Sequence, residues 1–231
     1  MKNTKQQNKE RFGHEDVLVV PSFEVNALLP EGFSFFGHDG NVIVNTLLRK
    51  SVFERRFQME GNPRYRQWIP YVVIKHGDLI YSTKRLKKSG EGRLWDKLSI
   101  GQGGHINHVD SFLGNIISNN VARELAEELD IYSNCKVNIR RFGFLNIINP
   151  NNPVSNDHLG IVMIMDVSKP TRKIAKSIDG QDVVVEVPSV RVRETEKLQG
   201  DWVTYEWLRE NYEYMELWSQ KVFDVLERMK G

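Results

Sequence analysis

Residues 120–131 read Asn-Val-Ala-Arg-Glu-Leu-Ala-Glu-Glu-Leu-Asp-Ile, and few environments satisfy such a segment. At about 100° per residue, Glu124, Glu127 and Glu128 fall within roughly a 100° arc of one helix face. Val121, Leu125 and Leu129, with Ala122 and Ala126, take the opposite side and can pack on a sheet. Arg123 stands one helical turn before Glu127, within reach of an ion pair that fixes the carboxylate's rotamer. Most acidic helix faces need only water, so the segment alone does not establish a site. Still, three carboxylates this close repel one another unless a proton or a cation intervenes. Hard oxygen ligands suit Mg²⁺ or Mn²⁺. Such an ion polarises a phosphoryl oxygen and lowers the pKa of a bound water, and a carboxylate off the metal can then take the proton.

The flanking sequence supplies strands for that helix to pack on. Residues 71–75 and 78–83 are β-rich runs split by His76-Gly77, which reads as a hairpin. A short apolar entry at 98–100 leads into Gly101-Gln-Gly-Gly104, and the helical pattern covers 115–129. Strands follow at 141–148 and 159–167, then a lengthened hairpin over 168–190 turning at Asp179-Gly180. A strand at 202–205 precedes a last amphipathic helix at 215–229. The expected fold class is α/β, an α-β-α sandwich with a mixed β-sheet plus an N-terminal extension. Residues 1–15 are polar and read as a tail without structure, 16–67 as an extension packed on the main domain, and 68–231 as that domain. Within the extension, 45–56 reads as a helix with a stripe through Leu47, Leu48 and Phe53.

Composition narrows the function classes. A net charge of +2 over 231 residues excludes bulk nucleic-acid binding through charge alone, but not a small basic pocket for a phosphorylated ligand. The single cysteine, Cys135, excludes a disulfide within the chain and fits a reducing compartment. The polar amino terminus lacks the apolar stretch of a secretory signal, and no apolar run is long enough to span a bilayer. The expectation is a cytoplasmic protein without membrane association, with a homodimer as its assembly.

Residues 123–131 resemble the second half of the Nudix signature, Arg-Glu-apolar-x-Glu-Glu-x-Gly-apolar, with Asp130 in place of the glycine. Asp tolerates the left-handed backbone often found after a helix better than most residues, so this departure is mild. Gly103-Gly104 resembles the paired glycines that open the signature, and Asp110 stands where the pattern has its first Glu. More residues separate Asp110 from Arg123 than the signature allows, which fits an insertion within residues 111–119. An ungapped count places Asn115 at the Glu position instead. The first alignment keeps both glycines and an acid, and leaves Asn115 to cap the helix. The resemblance extends over about residues 68–228 through the order of strands and helices.

What the resemblance implies is a hydrolase that cleaves a diphosphate linkage in a nucleoside diphosphate joined to another moiety, using Mg²⁺ or Mn²⁺. By position, Glu127 and Glu128 become metal ligands, Glu124 a ligand or the base, and Asp110 a further ligand. Arg123 holds a carboxylate in place. Gly103 and Gly104 let the backbone approach the site. By their place on the strand end and loop before the glycines, Arg85 and Arg93, with Lys84, offer charge to phosphates, although an ordinary basic surface reads equally well for each. The partner is thus a phosphorylated, nucleotide-like small molecule. The competing class is a non-catalytic nucleotide sensor or interaction module on the same scaffold, motivated by the altered first half of the box and the unmatched extension.

Other combinations carry less. Gly101-Gln-Gly-Gly has its third glycine misplaced for a dinucleotide loop. His105-x-x-His108-x-Asp110 has zinc-ligand types but no convincing downstream partner set. His158, just before the strand at 159–167, is placed to face the pocket, although a loop residue capping the strand is the commoner reading. Glu194 and Glu196 precede the strand at 202–205, a place where some Nudix enzymes carry their base, although a solvated charge run is the better reading for at least one of them. Trp218 and Phe223 read as core. Cys135, coming after the acidic helix, argues against a Nudix isomerase.

Overall fold

The computed structural model describes residues 8–10, 12–86, 96–112, 114–131, 135–148, 156–169, 172–178, 181–193 and 195–230. Arg93, Glu194 and the turn at Asp179-Gly180 lie outside these residues. Two compact units are built from interleaved segments: one from residues 1–71, 103–123 and 141–162, the other from 72–102, 124–140 and 163–231. The α/β class is as expected. Among the described residues no helix is long and apolar enough to cross a membrane.

The first unit grows around β1 (Asp16–Pro21), whose Val17, Leu18, Val19 and Val20 are all buried. After α1 (Ser22–Leu28), β2 (Gly32–Phe35) and α2 (Gly40–Arg49), the chain returns as β3 (Val52–Arg55), antiparallel to β1 from Asp16↔Arg55 to Val19↔Val52. The helix expected at 45–56 therefore starts earlier and stops at Arg49. Its buried positions are Gly40, Val44 and Leu47, a helical spacing, whereas Val52 and Phe53 take up backbone hydrogen bonding to a buried strand. A short α3 (Arg56–Met59) leads into β4 (Tyr65–His76), which pairs with the other edge of β1. Arg56 holds Glu15 at 2.8 Å and Glu60 at 3.0 Å, with its guanidinium 4.1 Å over the ring of Phe12. So the polar leading segment is tied down from Phe12 onward. Phe33 and Phe35 lie on β2, and Phe36 follows it. Phe33 and Phe35 meet Phe142 at ring distances of 5.4 and 5.8 Å.

The second unit centres on a hairpin. β4 turns at Gly77, whose φ of +57° suits glycine, into β5 (Leu79–Arg85), with Lys75↔Ile80 and His76↔Leu79 in register. β6 (Leu98–Ser99) and β7 (Gly101–Gln102) add short rungs on β5 and β4. β8 (Leu129–Ile131) is a short strand after the acidic helix, followed by β9 (Lys136–Asn146), β10 (His158–Ser168), β11 (Arg172–Ile178) and β12 (Gln181–Val187). β13 (Val190–Val192) pairs with β8, and β14 (Leu198–Thr204) covers the whole of β5, from Leu198↔Arg85 to Thr204↔Leu79. Trp202, fully buried, donates its indole N–H to the Pro188 carbonyl at 3.1 Å and meets Tyr81 edge-on at 5.4 Å.

Candidate functional site

The acidic helix, α4, spans Ile116–Glu128. Its start is set by Asn115, whose side-chain oxygen accepts from the backbone N–H groups of Ile117 and Ser118, each at 3.1 Å. That satisfies two donors which the first helical turn leaves unpaired, so Asn115 is a cap. The buried stripe is Ile117, Asn120, Val121 and Leu125. Ala122 and Ala126, expected among the packed residues, are exposed instead: the stripe is narrow, and the short alanines lie outside it. Glu124 and Glu128 are half-buried, and Glu127 is exposed. The helix passes directly into β8, where Asp130 pairs opposite Arg191 in extended conformation. No left-handed residue is needed there, which removes the reason for a glycine.

Asp110 sits at the end of the loop that begins with the two glycines. Gly103 has φ +147°, and a Cβ on it would collide with the carbonyl oxygen of Pro70. From there the chain reaches a 3₁₀ turn, His108–Ser111, that Asp110 ties to Asn107: the backbone N–H of Asn107 donates to Asp110 Oδ2 at 2.9 Å. Arg123 then grips the same carboxylate with two parallel bonds, Nε to Oδ1 and Nη2 to Oδ2, both 3.0 Å. Asn120 adds a bond to Oδ2 at 3.1 Å. Both Arg123 and Asn120 also donate to the carbonyl oxygen of His105, at 2.9 and 2.8 Å. Burial alone would raise the Asp110 pKa, but the bonds from Arg123, Asn107 and Asn120 outweigh it and hold the carboxyl below its usual value. Asp110 is only 2% exposed, with both oxygens engaged.

The loop histidines do not assemble a zinc set. His105 turns its Nε2 to that of His158 at 3.2 Å, so one ring donates and the other accepts. Burial pushes the His105 pKa well below the usual imidazole value, and Arg56, His158 and Arg123 push the same way. His108 instead stacks on Phe53 at 3.9 Å. Among the described residues no group of three or more His, Cys, Asp or Glu side chains is already arranged around a common point. Of the basic candidates, Arg85 donates its Nε to Glu216 at 3.0 Å, and Lys84 lies 3.3 Å from Asp96. Phe223 is core as expected, whereas Trp218 is only half-buried.

Sequence reasoning missed two contributors. Asn120 is a polar residue in the packed stripe of α4, at a position the helical period marks as internal, and that mismatch was its signal. The partnership of His158 with His105 spans 53 residues and left no local pattern.

No family profile matches this chain. It is 36% identical over 177 residues to Protein YmaB of Bacillus subtilis (strain 168), which covers 75% of this chain and 77% of that protein. Among solved structures it is similar to Tm1382, described as a candidate Nudix hydrolase, with a TM-score of 0.68 and 24% identity over 93% of this chain and 99% of the other.

Proposed function

We propose, for a chain that belongs to the same family as Protein YmaB and has the Nudix fold, that it is a metal-dependent hydrolase of a diphosphate linkage in a nucleotide-like substrate. The observation that carries this reading is the two-bond clamp of Arg123 on Asp110. It pairs the first acid of the box with the box arginine across the inserted residues. Read in that alignment, Glu124, Glu127 and Glu128 follow in register on the same helix.

The donor chemistry of these glutamates fits Mg²⁺ or Mn²⁺. They are hard carboxylate oxygens at helical spacings of three and four residues, on a face that is half-buried to exposed rather than packed. Glu127 and Glu128 are the proposed ligands, and Glu124 a third ligand or the base. When bound, the ion would polarise a phosphoryl oxygen and acidify a water. The remaining work belongs to the chain. One carboxylate takes a proton from water as its oxygen joins phosphorus, the bridging P–O bond breaks, and both halves leave as phosphates. Gly104 would leave the loop backbone free of a side chain where a phosphate approaches, while Gly103 lets the loop pass against the Pro70 carbonyl.

Arg123 and Asp110 take no proton in this scheme. Arg123, held by Asp110, fixes the loop carbonyl of His105. Arg85, through Glu216, holds the segment that precedes the last helix, so we assign it a structural role rather than a phosphate contact.

A nucleotide panel incubated with Mg²⁺ or Mn²⁺, with phosphate and pyrophosphate release as the readout, tests the proposal. Turnover of at least one nucleotide is expected, with the combined Glu124→Gln, Glu127→Gln and Glu128→Gln protein inactive. Full turnover by that variant would sink the assignment. Saturable nucleotide binding without product would favour the sensor reading, which the substitution of Asp110 for the box Glu motivates.

A further inference from the structure

The second unit holds a cavity of about 450 Å³ between β5, β14 and the short helix α5 (Tyr205–Glu210), and neither the acidic helix nor its loop lines it. Two features of its wall are unusual for a surface depression. Trp207 is 37% exposed and Tyr214 is 62% exposed, so two large aromatic rings are presented to the same space. Neither is loosely held. Trp207 sits in the first turn of α5, where its backbone N–H is capped by Thr204 Oγ1 at 3.1 Å. Its carbonyl oxygen accepts from the Asn211 amide at 2.8 Å. Tyr214 follows on a 3₁₀ turn, Tyr212–Tyr214. Across the cavity, β14 contributes Gln199, Gly200, Asp201 and Val203.

The charged side chains that line the cavity, Lys84, Asp96, Lys176 and Asp201, are two of each sign, and Arg172 stands 3.9 Å from the Asp201 carboxylate. Lys176 pairs with Asp201 at 2.7 Å, and Lys84 with Asp96 at 3.3 Å. An anion would meet two aspartates and a cation two lysines, so neither sign is favoured on entry. What remains is aromatic surface edged with amide and hydroxyl groups. We propose that this cavity is a second ligand site, for a planar aromatic ring that carries hydrogen-bond donors and acceptors but no net charge. The ring would stack against Trp207 or Tyr214 and turn its polar edge to Gln199, Asn211 and the two ion pairs. The volume falls within the range of small-molecule sites and accommodates a nucleoside or a zwitterionic aromatic amino acid. The inference does not depend on hydrolysis by the acidic helix.

Quenching of tryptophan fluorescence on titration with adenosine tests it, with calorimetry for adenosine and tyrosine as separate arms. The expected result is saturable binding of one of them, weakened by about tenfold or more in Trp207→Leu and less in Trp207→Phe, because phenylalanine keeps a ring to stack on and leucine does not. Adenosine binding identifies a nucleoside ligand, and tyrosine binding a zwitterionic one. AMP provides the charge test, since a phosphate should leave the affinity within about threefold in a neutral site. Three results would overturn the proposal: neither probe binding, equal binding by a folded Trp207→Leu protein, or AMP binding at least about tenfold tighter than adenosine.

Discussion

Two groups of carboxylates stand within one stretch of this chain, and their surroundings could hardly differ more. Asp110 is 2% exposed and receives bonds from Arg123, Asn120 and the Asn107 backbone. On α4, Glu127 is exposed and Glu124 and Glu128 are half-buried. A carboxylate whose oxygens are all engaged in a buried network holds a loop in shape, because a cation would first have to displace an arginine. Carboxylates beside solvent can change partners at little cost. Charge alone therefore does not mark a metal ligand, and the two groups should respond oppositely to substitution.

The largest effect is expected at these glutamates. Glu124→Gln should lower turnover by roughly 10²–10⁴-fold if that group is the base, with an unchanged melting temperature. Rate and melting temperature measured on one preparation would break the comparison if stability fell and rate did not. Next comes the buried side. Arg123→Ala should cost about 3 kcal/mol, since it strands Asp110 in a place that water does not reach. In a chain this long, that corresponds to a melting temperature lower by roughly 6–12 °C.

Acid should separate the groups again. The His105 pKa is depressed in the folded protein, so the unfolded chain takes up a proton first as pH falls below the ordinary value of 6.5. Stability contributed by the neutral ring is complete above that pH and declines below it. Asp110, also depressed, adds a second loss as pH falls below the ordinary 3.8. Urea midpoints at pH 8, 6.5 and 5 should drop over the acidic interval, and His105→Gln should flatten that drop. A midpoint independent of pH would contradict the depressed His105. The smallest effect belongs to the cap: Asn115→Ala should lower stability by about 1 kcal/mol without altering metal affinity. Loss of metal binding in that variant would restore the ungapped alignment.

How far the sequence led follows the same division. Periodicity located α4, the hairpin at Gly77 and the long strands, because each repeats its pattern over enough residues to be read. It misplaced the helix in the extension, where Val52–Arg55 is held as a strand by β1, far away in sequence. It put the glutamates on one face, since that depends on helix geometry alone. The surroundings of Asp110 were not legible. Whether an acid is a ligand or a buried anchor depends on Arg123, Asn120 and Asn107, which only the folded loop brings together. The His105–His158 pair was hidden for the same reason.

The division of labour between these carboxylates is tested most directly by Mn²⁺ binding followed by electron paramagnetic resonance. Wild type, Asp110→Asn and the combined Glu124, Glu127 and Glu128→Gln variant would be compared under conditions where all three are folded. The account predicts that Asp110→Asn melts earlier yet binds Mn²⁺ within about threefold of wild type, while the triple variant keeps its melting temperature and loses at least about tenfold in affinity. A folded Asp110→Asn protein that loses Mn²⁺ as completely as the triple variant would contradict it, and would make Asp110 a ligand.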